Sequence, residues 1–142
     1  MTSVFDELER QIMAEMRKIY SEKTIDHAMN PRNVGCIKEA DGFARITGPC
    51  GDTVEISLKV KGERVVDAAF WTDGCGTTIA CSSIATELVK GKSIAEALKI
   101  NSKCILDVQG GLPESDLHCA VLASNTLNEA IRNYLSSKNK RV

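Results

Sequence analysis

The chain has 142 residues, 43% of them hydrophobic, with 18 basic against 19 acidic side chains and a formal net charge of -1. That length fits one domain, and the near-neutral charge removes any electrostatic case for nucleic acid or an anionic membrane as a partner. No apolar run approaches the ~20 residues that span a bilayer, and the mean hydropathy is -0.13. The N-terminus carries Asp6, Glu7, Glu9 and Glu15, unlike a signal peptide or an acid-poor transit peptide, so the expected location is cytoplasmic. Six cysteines in a reducing compartment point to metal or catalysis, or to small buried hydrophobes, rather than to a disulfide framework.

In chain order, Phe5, Leu8, Ile12, Met16 and Ile19 recur at three- and four-residue spacing. This predicts an amphipathic helix over 4–20, packed on the domain or on a second copy. The polar stretch that follows, with Asn30-Pro31-Arg32-Asn33, reads as irregular. Phe43–Thr47 reads as a short strand. Val54–Val60 alternates strictly and predicts a half-buried strand with Val54, Ile56, Leu58 and Val60 inward. After a tight turn at Lys61-Gly62-Glu63, Val65–Trp71 reads as a third strand. The short connections imply an antiparallel meander.

Beyond Gly76 the period turns helical. One helix, carrying Ile79, Ile84, Leu88 and Val89, stops before Gly91. Ser93-Ile94-Ala95-Glu96 has capping-box spacing and opens a short one. Residues 102–109 form another, closed by Gly110-Gly111, and the last runs from Leu117 to Leu135. Strands first and helices afterwards predict an α+β fold, a small three-stranded antiparallel sheet covered by helices. The expected organisation is one domain over 1–142, with a helical extension at 1–19 and a core at 20–135.

Three loops carry the candidate chemistry: Gly48-Pro49-Cys50-Gly51-Asp52, Thr72-Asp73-Gly74-Cys75-Gly76 and Ser115-Asp116-Leu117-His118-Cys119. In a meander, the loops leaving the first and third strands emerge at one end of the sheet, which brings Cys50 and Cys75 to one edge. Flanking glycines allow close backbone approach to a bulky ligand. Cys119 falls in the first turn of a helix, with Ser115 or Asp116 as N-cap, where free amides and the helix dipole favour a thiolate. His118 adds a further donor.

The spacing narrows the metal. Cys75 lies 25 positions beyond Cys50 and Cys119 lies 44 beyond Cys75, with no Cys-x-x-Cys pair. Structural zinc sites and ferredoxin-type clusters both draw on short-spaced cysteines. Three thiolates from distant loops, with Asp52 or His118 as the fourth donor, predict a loosely held iron–sulfur cluster. Cys81 and Cys104 sit within predicted helices and read as packing residues. Cys36 stays outside the expected site, and His27, with no nearby thiol, reads as structural or interfacial.

These segments closely resemble the iron–sulfur assembly scaffold family, IscU and the N-terminal domain of NifU. The resemblance rests on Tyr20-Ser21-Glu22-Lys23, Ile25-Asp26-His27, Asn30-Pro31-Arg32-Asn33-Val34-Gly35, Cys50-Gly51-Asp52, Gly74-Cys75-Gly76, Ser82-Ser83, Ala85-Thr86-Glu87, Gly91-Lys92 and Leu117-His118-Cys119. It covers about residues 20–135. It implies that Cys50, Cys75 and Cys119 hold a [2Fe–2S] cluster, that Cys119 accepts persulfide sulfur from a cysteine desulfurase, and that Asp52 promotes cluster release. His118 would be an alternate ligand.

The implied role is that of a scaffold rather than an enzyme. It would take sulfur and Fe2+, pass the cluster to acceptor or carrier proteins, and admit Zn2+ when cluster-free. A zinc-bound persulfide relay is the competing expectation, and the apolar face at 5–19 would suit a homodimer. Two departures stand out. Where the family often has Leu-Pro-Pro-Val-Lys, read by a dedicated Hsp70 chaperone, this chain has Leu112-Pro113-Glu114-Ser115-Asp116, which argues against that partner. The 44-residue interval and His118 also separate it from the zinc-binding SufU relatives, which carry an insertion there and lack the histidine.

Overall fold

Ten of the fourteen residues of one helix are buried, and the rest of the chain is arranged around it. The structure, a computed structural model, describes residues 3–140, with side chains as far as residue 138. In chain order it comprises α1 (Val4–Ile19), α2 (Glu22–Met29), β1 (Gly42–Thr47), β2 (Thr53–Lys61), β3 (Arg64–Thr72), α3 (Gly76–Val89), α4 (Ile94–Ala97), α5 (Ser102–Gln109), a 3-10 turn at Glu114–Asp116, and α6 (Leu117–Lys140). The central helix is α3. Its Ala80, Cys81, Ser82, Ser83 and Ala85 are small enough to let neighbouring elements pack close.

The sheet is the expected antiparallel meander, in the order β1-β2-β3. Its register pairs Thr47 with Thr53 and Val54 with Thr72. The β1–β2 loop and the β3–α3 loop therefore leave the same end, as strand direction required. Val54, Ile56 and Leu58 are fully buried in the core that α6 closes over β2, each such side chain contributing about 1.5–3 kcal/mol over leaving it in water. Val60 is only half-buried, because the register shifts between Lys59 and Val60 and the bulge turns the strand.

Two local expectations are corrected. The stretch after Tyr20 is not wholly irregular: Ser21 caps α2, its side chain accepting from the Thr24 amide, and Thr24, Ile25 and His27 are buried. The short polar pattern hid one apolar face. Residues 33–35 then run beside β3, where the Phe70 amide donates to Asn33 O at 2.9 Å and the Gly35 amide to Phe70 O at 2.8 Å. This covers an edge strand that would otherwise expose its backbone.

The second concerns α1, expected to pack on the domain or on a second copy, which does little of the first. It forms as its period requires, with a capping box at Ser3 and Asp6, yet none of its residues is buried. Phe5 stays 82% exposed and Leu8 and Ile12 51% each. Only Met13, Met16 and the following Tyr20 are half-buried. Amphipathic period predicts a face that seeks a partner, and within this chain the partner is mostly missing. No helix among the described residues is long and apolar enough to cross a membrane.

Candidate functional site

Both loops at the site end of the sheet are held by short polar bonds. In the first, the Gly48 amide donates to Asp52 O at 2.8 Å and the Gly51 amide to Gly48 O at 3.0 Å, with Gly51 at a φ of +93° that favours glycine. In the second, the Thr53 amide donates to Asp73 Oδ1 at 2.8 Å and the Gly74 amide to Thr72 Oγ1 at 3.0 Å. Gly74 is the contact point between them. A Cβ there would lie 2.8 Å from Asp52 Oδ2 and 2.8 Å from Thr78 Cβ, so only glycine lets the loops close this far.

Thr78, a residue the sequence reading did not single out, sits at the centre. Its hydroxyl is 2.9 Å from Asp52 Oδ2, 3.4 Å from Cys119 Sγ and 3.6 Å from Cys75 Sγ. One hydroxyl proton can be donated to only one of Asp52, Cys119 and the Cys75 thiolate at a time, and when Cys75 is a thiol the oxygen can instead accept from it. The signal was present: Thr78 follows Cys75 by three positions, one helical turn, and a fully buried threonine needs polar partners. His118 Nε2 lies 3.6 Å from Cys119 Sγ with its side chain otherwise exposed. Cys50 is exposed at the tip of its loop.

The two helix-start cysteines differ. Cys75 is the N-cap of α3 and exposed. Burial works against its ionisation, but the Thr78 amide and hydroxyl and the Thr77 amide outweigh it, and the thiol is held below its ordinary value despite the Asp52 charge. Cys119, expected as the activated thiol, is 1% exposed. Burial pushes it up to about 11, with the Cys75 and Asp116 charges adding to the shift and the Thr78 hydroxyl opposing it. The expected activation of Cys119 is thus corrected: free amides at a helix start help a thiol only when it is not also desolvated.

The remaining cysteines and His27 lie outside this gathering. Cys81 is fully buried, its thiol pushed up to about 12, chiefly by burial. Cys104 is half-buried against the core, and Cys36 is exposed in its loop. His27 is buried, Nδ1 lying 2.7 Å from Ser83 Oγ, which also accepts the Arg32 amide at 3.0 Å. All six cysteines are free.

The donors are near one another without being drawn onto one point. Among the described residues, no three His, Cys, Asp or Glu side chains sit close enough to hold one metal ion. Soft thiolates with a carboxylate or imidazole suit iron–sulfur or zinc chemistry, and holding one metal ion here would require the loops to close further. Beside Cys75 opens a cavity of about 280 Å³, lined by Met16, Tyr20, Thr24, Cys75, Thr77 and Asp116, among others.

The sequence model of the NifU-like N-terminal domain matches residues 19–141. The chain belongs to that family. Among its relatives, the iron–sulfur cluster assembly scaffold protein IscU 1 of Archaeoglobus fulgidus is 47% identical over 123 residues, spanning 86% of this chain and 80% of that one. The IscU scaffold protein of Aquifex aeolicus is 44% identical over 124 residues, spanning 85% and 79%. The crystal structure of a NifU-like N-terminal protein from Brucella abortus matches with a TM-score of 0.66 over 85% of this chain and 97% of that one. At 22% identity it speaks for the fold alone. The family match begins where α1 ends.

Proposed function

We propose that this chain is a scaffold on which a [2Fe–2S] cluster is assembled as cargo and from which it is handed to acceptor proteins. The observation that carries the reading is the gathering of Cys75, Cys119 and Asp52 around the Thr78 hydroxyl, beside exposed Cys50 and His118. Relatives that share more than two-fifths of the sequence are named as scaffolds for this task.

Sulfur arrives as the persulfide of a cysteine desulfurase. A thiolate of this chain attacks the terminal sulfur, a new S–S bond forms as the donor's breaks, and the donor leaves as thiolate. In the resting arrangement Cys50 and Cys75 are exposed and Cys119 is buried, so an incoming persulfide meets one of the two exposed thiols first. Cys119 takes the sulfur once the start of α6 opens, and reduction to bridging sulfide draws two electrons per sulfur from an external donor. Fe2+ binds the thiolates of Cys50, Cys75 and Cys119, with Asp52 or His118 in the remaining position. Asp52, already within reach of Thr78, competes for iron and eases release. The thiols must return reduced after each round, which a cytoplasmic setting provides.

Anaerobic reconstitution with iron and sulfide, followed by Fe, S and Zn analysis, tests the reading. A labile cluster near two iron and two sulfide per chain is expected, and Asp52→Ala slows its transfer to an acceptor. Stoichiometric zinc with no acid-labile sulfide would overturn the scaffold and favour a zinc-bound sulfur relay.

A further inference from the structure

Tyr20 ends α1, its amide donating to Met16 O at 2.8 Å, and its half-buried hydroxyl donates to Asp116 Oδ2 at 2.7 Å. Asp116 closes the 3-10 turn that leads into α6, where its amide donates to Pro113 O at 2.8 Å. Cys119 follows three residues later, in the first turn of α6. The same hydroxyl also lies against the Thr77 side chain in the first turn of α3, so Tyr20 is where the end of α1 is tied to elements beyond α2.

The turn has few other restraints. Glu114 and Ser115 are exposed, as is His118. The first amides of a helix have no partner within it, so a helix start frays unless something outside holds it. Cys119 nevertheless stays 1% exposed, which requires that start to remain closed against Thr78. Tyr20 and Asp116 both line the cavity beside Cys75, and the hydrogen bond between them ties the turn to the end of α1.

We infer that Tyr20 and Asp116 are positioning residues for Cys119, a latch that keeps the start of α6 closed over the thiol. The inference rests on reading Cys119 as a working thiol, but its test needs no cluster.

The test is a pulse of iodoacetamide on the metal-free, reduced full chain, with the rate at each cysteine read by mass spectrometry. Tyr20→Phe and Asp116→Ala should each speed alkylation of Cys119 about ten-fold, the scale of one lost hydrogen bond to a charged acceptor. Asp116→Asn, whose amide oxygen still accepts the hydroxyl, should stay near the unaltered chain. Cys81, buried in the same core away from the latch, is the internal reference and should not change. An unchanged Cys119 rate in Tyr20→Phe and Asp116→Ala overturns the latch. So does a parallel rise at Cys81, which would mean general loosening.

Discussion

The starts of α3 and α6 both carry a cysteine, and the two thiols have opposite character. Cys75 occupies the N-cap of α3, outside the first turn, where two amides and a hydroxyl reach it while one side stays in water. Cys119 is the third residue of α6 and packs inward with Ala120 and Leu122. The helix field is available at both ends, but desolvation decides at the second. A helix-start cysteine is therefore activated by its place relative to the cap and the core, not by the helix alone. Thr78 links the two, its hydroxyl placed to donate to Asp52 or to Cys119 and within reach of Cys75.

The sharpest way to break this comparison is to measure both thiols in the metal-free chain. Near neutral pH, Cys75 should alkylate much faster than Cys119, because Cys75 is exposed with its thiol held below the ordinary value, while Cys119 is buried with its thiol pushed up, and thiolate is the reactive form. Equal rates would dissolve the contrast. Next in size, Gly74→Ala should cost about 1–3 kcal/mol in urea unfolding, since its methyl would overlap Asp52 and Thr78. Beside it, Thr78→Val should cost about 1 kcal/mol and slow Cys75 alkylation; no change in either would remove Thr78 from the centre of the site.

The smallest effect lies on the far flank of α3. Burial, together with the Arg32 and Lys23 charges, holds His27 below 6.5, so it is neutral when folded. The unfolded chain takes up that proton first as pH falls below 6.5, and stability present above 6.5 is lost progressively below it. Replacing His27 by Gln should flatten this acid slope in denaturant titrations. An unchanged slope would place the acid sensitivity in the carboxylates instead.

Much of the fold was legible from period alone. The alternation of Val54, Ile56 and Leu58 placed β2, the turn at Gly62 set the meander, and strand direction brought Cys50 and Cys75 to one end. The missed helix α2 has only eight residues, too short for a clear period, and its buried face includes a histidine and a threonine. Thr78 was missed because a threonine after Gly-Cys-Gly resembles ordinary helix start. Its role depends on Asp52, distant in sequence, arriving at the same point.

What the sequence determined by itself was therefore local: helix and strand period, cap residues, and which loops hold thiols beside glycine, because each depends on neighbours within a few positions. The family match followed from the same ordered residues. Only the tertiary structure decided which thiol is in water and which is buried, that Thr78 joins them, and that Tyr20 fastens Asp116. Those properties come from desolvation and from contacts between residues as far apart as 20 and 116, which no local pattern encodes.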